Sequence, residues 1–184
     1  MTETPDNSPA TLLSGGKATG HWVLDPAGSS VTIGHKHTWG LFTVHGTFSE
    51  LSGEGDVAQD GSVSGRIEIG ASSISTKNSR RDNHLRSADF FKAGEHRAIV
   101  FTAHDAKLGP SGDLAVSGEL EAAGITRPLS VTAKITQASP ESATLSAEAD
   151  VDRAAHGMTW NMLGMITGVA HVSVVARFTR QPVS

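Results

Sequence analysis

The sequence predicts an all-β fold, a barrel or a sandwich of many short strands with one short helix. Three observations carry this expectation. Apolar and polar residues alternate with a period of two along most of the chain. Turn-forming residues punctuate the alternating runs at short intervals. The composition combines 20 Gly with only 18% charged residues. Alternation marks strands with one apolar and one wetter face. Abundant Gly with Val, Ile, Thr and Ser favours strands and tight turns over helices.

The elements follow in chain order. Residues 1–19 are rich in Pro, Ser, Thr and Gly and are predicted to be a disordered tail. The patterned domain covers residues 20–181, a length that fits one domain. Val31, Ile33, His35 and His37 fall on one face of the first clear strand, and Phe42, Val44, Gly46 and Phe48 on one face of the next. Val63 to Ile69, Leu114 to Leu120, Leu129 to Ile135, Leu145 to Val151 and Val169 to Phe178 repeat the pattern. Turn signals stand at Asp25-Pro26, Gln59-Asp60-Gly61, Gly109 to Asp113 and Ser139-Pro140. The stretch Asn78 to Phe91 lacks alternation, and its spacing predicts the one helix over residues 80–88.

Composition also excludes function classes. The net charge is −4 without a basic block, which argues against nucleic acid as a partner. There is no cysteine, so disulfide scaffolds, thiol catalysis and Cys-ligated zinc are ruled out. No window approaches 18 apolar residues, so no transmembrane helix is expected. The first residues show neither a basic nor an apolar leader region, and the expected location is cytoplasmic. No nucleophile elbow, phosphate loop or dinucleotide fingerprint is present.

Five blocks carry a resemblance to a known family. They are Trp22-Val23-Leu24-Asp25-Pro26 with Ser29-Ser30-Val31; His35-Lys36-His37 with Val44-His45-Gly46-Thr47-Phe48; Ser75-Thr76 with Arg81 to Phe91; Gly118-Glu119-Leu120 with Gly124-Ile125-Thr126-Arg127-Pro128; and Asp152-Arg153 with Gly157-Met158 and Trp160. In this order they resemble the YceI family of polyisoprenoid-binding, lipocalin-like proteins, the first block resembling that family's first hairpin. Arg97 replaces a common Pro, His156 a frequent Phe, and Thr38-Trp39-Gly40 a more apolar turn. The resemblance implies an extended, lipocalin-like antiparallel barrel of about eight strands around an elongated apolar cavity. It implies a bound long-chain ligand such as a polyisoprenoid, an isoprenoid quinone or a fatty-acid-like lipid, with no other cofactor. A homodimer and a carrier or sequestering role, rather than an enzyme, are the matching expectations.

Candidate site residues follow from register and chemistry. Small inward residues either leave a cavity or complete a dry core with the Phe residues; the resemblance implies the cavity. Phe42, Phe48, Ile67 and Val131 are its expected walls. Leu85, Phe90, Phe91 and Trp160 are expected near its end. Arg81 and His84, with Asp82 and Arg86, either hold a polar head group or form a fold-defining salt-bridge network, since Arg suits bidentate anion contacts. His35 and His37, at i and i+2, either form a metal half-site completed by His45 or His156 or are buried or rim histidines hydrogen-bonded to Ser, Thr or backbone groups; the second is expected, with no metal and with the pair near the ligand's polar part. The competing functions are a His-metal or haem redox enzyme in the same barrel and an interaction module without ligand. Asp152-Arg153 and Thr126-Arg127-Pro128 are expected to be structural.

Overall fold

The computed structural model describes residues 8–37, 42–160 and 168–182; side chains at 14, 35–37 and 42–43 lie outside that description. Among the described residues the alternating runs become β1 (Gly20–Leu24), β2 (Ser30–His37), β3 (Phe42–Phe48), β4 (Leu51–Val57), β5 (Val63–Gly70), β6 (Ile74–Ser75), β7 (Ala98–Leu108), β8 (Asp113–Ala122), β9 (Ile125–Ala138), β10 (Ser142–Asp152) and β11 (Val169–Arg180). All pairings are antiparallel. The order β1-β4-β5-β7-β8-β9-β10-β11 closes on itself through β11 and β1, which makes an eight-strand barrel. Strands β2, β3 and β6 continue from β11 beside that ring.

The first strands are long strands bent in the middle. β11 pairs with β2 through residues 171–175 and with β1 through residues 178–180. The opening block is thus a bend between two strands that share one neighbour, not the hairpin it resembles. The reason is local. Pro26 starts a single 3-10 turn capped by Asp25, whose carboxylate accepts from the Ala27 amide at 3.1 Å. The bend stays bonded to β11: the Asp25 amide donates to the Arg177 carbonyl at 2.7 Å, and the Arg177 amide donates to Ser29 Oγ at 2.9 Å. β3 and β4 repeat the arrangement against β2 and β1.

Inward alternation persists along the ring strands with two shifts, one on β9, where the inward face passes from Ile135 to Ala138 opposite Leu145 and Ala143, and one on β7. Phe101 and Ala103 face inward on β7, and a bulge between Ala103 and Asp105 hands that face to Ala106. The turn joining β8 to β9 places Ala123 at φ 50° and Gly124 at φ 78°, the pair of positive angles a two-residue hairpin loop requires.

Two short helices are described where one was expected. The expected helix is α2, Ser79–Arg86, capped by Asn78, whose side chain accepts from the Arg81 amide at 3.1 Å. The other, α1, spans Pro9–Ser14 inside the segment read as a disordered tail. Ser8 caps it, Pro9 opens it, and Leu12 is buried to 3% exposure against the barrel. Composition hid this helix because its stability rests on tertiary burial of two leucines, not on local propensity.

Candidate ligand-binding site

The barrel encloses a cavity of about 1080 Å³. Its wall is made by inward residues of the ring: Ile67 on β5, Phe101 on β7, Val116 on β8, Val131 on β9, Leu145 on β10 and Val174 on β11 are representative. Gly65 and Gly55, directly opposed on β5 and β4, and Ala103 beside Gly65 on β7 keep part of this wall bare of side chains.

Leu85 of α2, Phe90 and Phe91 of the loop after it, Met158 and Trp160 line one end. Phe48 and Phe91 meet edge to face with centroids 5.8 Å apart, inside a cluster that includes Ile74, Ile99 and Met158. His84 stands edge-on to Phe90 at 5.1 Å and to Trp160 at 4.4 Å. Its Nε2 lies 3.1 Å from the Asp89 carboxylate. Arg153 is buried at 7% exposure, its guanidinium 5.7 Å from the Phe90 ring centroid, and it donates to the Trp160 carbonyl at 3.1 Å. Burial pulls the Arg153 pKa below its usual value, and the Asp152 charge partly offsets this. Thr76, Asn78, Arg80, Arg81, His84 and Arg153 bring polar atoms to this end of a mostly apolar lining, whose other polar residues are Glu54, Asp56, Ser64, Arg66, Ser139 and Glu148.

The arginines of α2 are tied to the strand they cover. Arg81 donates through Nε to Thr76 Oγ1 at 2.7 Å and through Nη2 to the Thr76 carbonyl at 3.0 Å. Arg86 donates to the carbonyls of Ser72 and Ile74, both at 2.7 Å. Asp82, 6% exposed, accepts from the Thr76 amide at 2.8 Å and from its hydroxyl at 2.6 Å. Burial pushes the Asp82 carboxyl up, but the Thr76 hydrogen bonds with the Arg86 and Arg81 charges outweigh it and hold it below its ordinary value. Of the two readings of this cluster, the fold-defining one describes these contacts, with one change: the arginines donate to carbonyls in and on either side of β6 and to the Thr76 hydroxyl instead of forming salt bridges.

The other end is closed by α1. Pro9, Leu12, Leu13 and Ala18 line the cavity there, beside Trp22, Ala138 and Phe178. Trp22 Nε1 donates to the Ala18 carbonyl at 2.8 Å, and Arg180 Nη1 donates to that of Lys17 at 2.8 Å. These bonds pin the chain that follows α1 to β1 and β11.

The structure brings Phe48, Ile67, Arg81, His84, Leu85, Phe90, Phe91, Val131 and Trp160 to the cavity lining. His35, His37 and Phe42 lie outside the described side chains; their backbones pair in β2 and β3, His35 with Val44 and His37 with Phe42. Of the expected third metal ligands, His45 is exposed, whereas His156 is buried with Nδ1 2.8 Å from the Ile125 carbonyl, on the strand next to the Gly124 turn. Among the described residues no three His, Asp or Glu side chains converge to hold a metal ion. Sequence reasoning missed Leu12, Leu13 and the cavity-facing place of Arg153. The Ser8-Pro9 cap ahead of Leu12-Leu13 was the available signal for the first two.

A family model for the YceI-like domain matches residues 22–178. The chain belongs to the YceI-like family. A UPF0312 protein of Shewanella baltica is 30% identical over 115 residues, 61% of this chain and 60% of the relative. A UPF0312 protein of Ectopseudomonas mendocina is 26% identical over 128 residues, 68% of this chain and 67% of the relative. The chain thus spans about 60% of the length of the Shewanella baltica relative. Burkholderia cenocepacia BcnA superposes with a TM-score of 0.75 at 16% identity, covering 84% of this chain and 98% of that one. A polyisoprenoid binding domain from Saccharophagus degradans, implicated in plant cell wall breakdown, superposes with a TM-score of 0.69 at 15% identity, covering 87% and 98%. At such identities the structural likeness speaks for the fold: this YceI-like domain has the closed antiparallel barrel of those proteins.

Proposed function

We propose that this YceI-like protein binds one long apolar amphiphile inside its barrel and carries or sequesters it. A polyisoprenoid, an isoprenoid quinone and a fatty-acid-like lipid all fit the description. The cavity carries the proposal. At about 1080 Å³ it stands at the upper end of small-molecule sites, which span roughly 300–1,000 Å³. Its apolar wall favours a ligand by about 25 cal/mol for each Å² of apolar surface removed from water. The Saccharophagus degradans neighbour, a polyisoprenoid binding domain, supports the same class of ligand.

The ligand's polarity has a direction. Its head group lies at the α2 end, where Arg80, His84 and Arg153 offer donors to an oxygen-bearing group; its chain runs toward α1. An unpartnered polar head buried elsewhere in the barrel costs about 1–3 kcal/mol. Organic extraction of the purified protein, followed by mass spectrometry of the extract, tests the function. A long-chain amphiphile at near one equivalent per chain is the expected result. An extract free of such molecules, from protein that also takes none up when offered prenyl alcohols or fatty acids, contradicts it.

A further inference from the structure

We propose that α1 is an end stop that sets the length of chain the barrel accepts, with Leu13 as the residue that meets the ligand's terminal carbons. The proposal rests on the binding reading above. Three observations carry it. First, the family match begins at residue 22, yet Pro9, Leu12, Leu13 and Ala18 line the cavity. The wall at this end is therefore supplied by a segment outside the matched domain. Second, Leu12 and Leu13 divide the work. Leu12 is buried at 3% exposure with Trp22 and Ala18, and it anchors the helix. Leu13 is only half-buried and packs against both small clusters of this end, touching the group of Ala106, Leu114 and Ala133 as well as that of Trp22. Third, the chain that follows α1 is tied to the barrel: Trp22 Nε1 and Arg180 Nη1 donate to the carbonyls of Ala18 and Lys17, each at 2.8 Å.

The chemistry of the two ends then differs. The α2 end presents Arg80, Arg81, His84 and Arg153, whereas the α1 end presents Pro9, Leu12, Leu13 and Ala18, with Asp56, Ser64 and Ser139 beside them and no cationic side chain among these residues. An amphiphile enters with its head group satisfied at one end and its methyl terminus against Leu13 at the other. Ligand length is read by the distance between those ends, and the side-chain volume at position 13 trims it.

The test uses the full chain and saturated fatty acids from dodecanoic to tetracosanoic acid, offered as a mixture, with retained acids identified by mass spectrometry after gel filtration. Leu13→Ala is expected to move the longest well-retained acid upward by about two to three carbons, roughly the number removed from the side chain. Leu13→Trp is expected to move it downward. Near-ultraviolet circular dichroism confirms that each variant is folded, and the Ala variant, which adds no bulk, keeps the test decisive if the Trp variant does not fold. A length distribution that is the same in the parent and in folded Leu13→Ala overturns the end stop and leaves the binding reading standing. A parent protein that retains none of the acids, and no prenyl alcohol offered beside them, overturns both.

Discussion

At the scale of single residues, the most specific block of the sequence turns out to encode contacts within the fold. Thr76 is its centre: its amide and hydroxyl donate to Asp82, while its hydroxyl and carbonyl accept from Arg81. Removing the carboxylate leaves two buried donors without their acceptor. Asp82→Ala is therefore expected to cost about 1–3 kcal/mol of stability, measured by denaturant unfolding at pH 7. The pH dependence follows from the sign of the shift. Asp82 is held below its ordinary value, so its contribution is complete above about pH 4–5, near the unfolded carboxylate value, and is lost as pH falls through the folded value. The stability gap between parent and Asp82→Ala should narrow in acid; a gap that is constant down to acid unfolding removes the electrostatic part of this account. Gly124 supplies a second residue-scale prediction. Its φ is 78°, and a Cβ there falls 2.4 Å from the His96 ring, so Gly124→Ala is expected to cost at least about 1 kcal/mol in thermal or chemical denaturation.

At the scale of elements, what was legible depended on whether side chains carried the period. β5, β8, β9, β10 and β11 stood out because Val, Ile, Leu and Ala occupy every second position. β4 did not, because Gly53 and Gly55 occupy its inner positions and contribute no apolar signal. The bend between β1 and β2 was read as a hairpin because Asp25-Pro26 signals a turn in either case; only pairing with β11 separates the two. The α2 cluster was legible as residues but not as partners, since backbone carbonyls leave no mark in a sequence. α1 was missed because six residues with Pro, Thr and Ser resemble a solvated tail until the barrel mouth that receives Leu12 is known. Its burial makes a prediction. Deleting residues 1–16 removes Leu12 from its pocket, a loss of about 1.5–3 kcal/mol, which corresponds to a fall in melting temperature of roughly 3–12 °C for a domain of this size. Calorimetry of the truncated and full chains checks it; equal melting temperatures would mean that α1 adds nothing to the fold.

At the scale of the whole molecule, the structure is a closed ring with two differently built ends, α2 at one and α1 at the other. The ring gives each of its eight strands a neighbour on both sides, and among the described strands only the extension of β2, β3 and β6 ends in an edge. The ring also leaves inward positions occupied by residues too small to fill the space they enclose. On the proposed function this space holds one long apolar molecule. Native mass spectrometry of the parent beside Val131→Trp checks this, because Val131 lines the wall midway along β9, far from the hydrogen-bonded ends. The parent, loaded with a prenyl alcohol or a fatty acid, is expected to carry a mass excess of one ligand per barrel. Folded Val131→Trp is expected to lose most of that excess, since the indole occupies the same volume. Equal ligand occupancy in the two folded proteins would contradict a binding site inside the barrel.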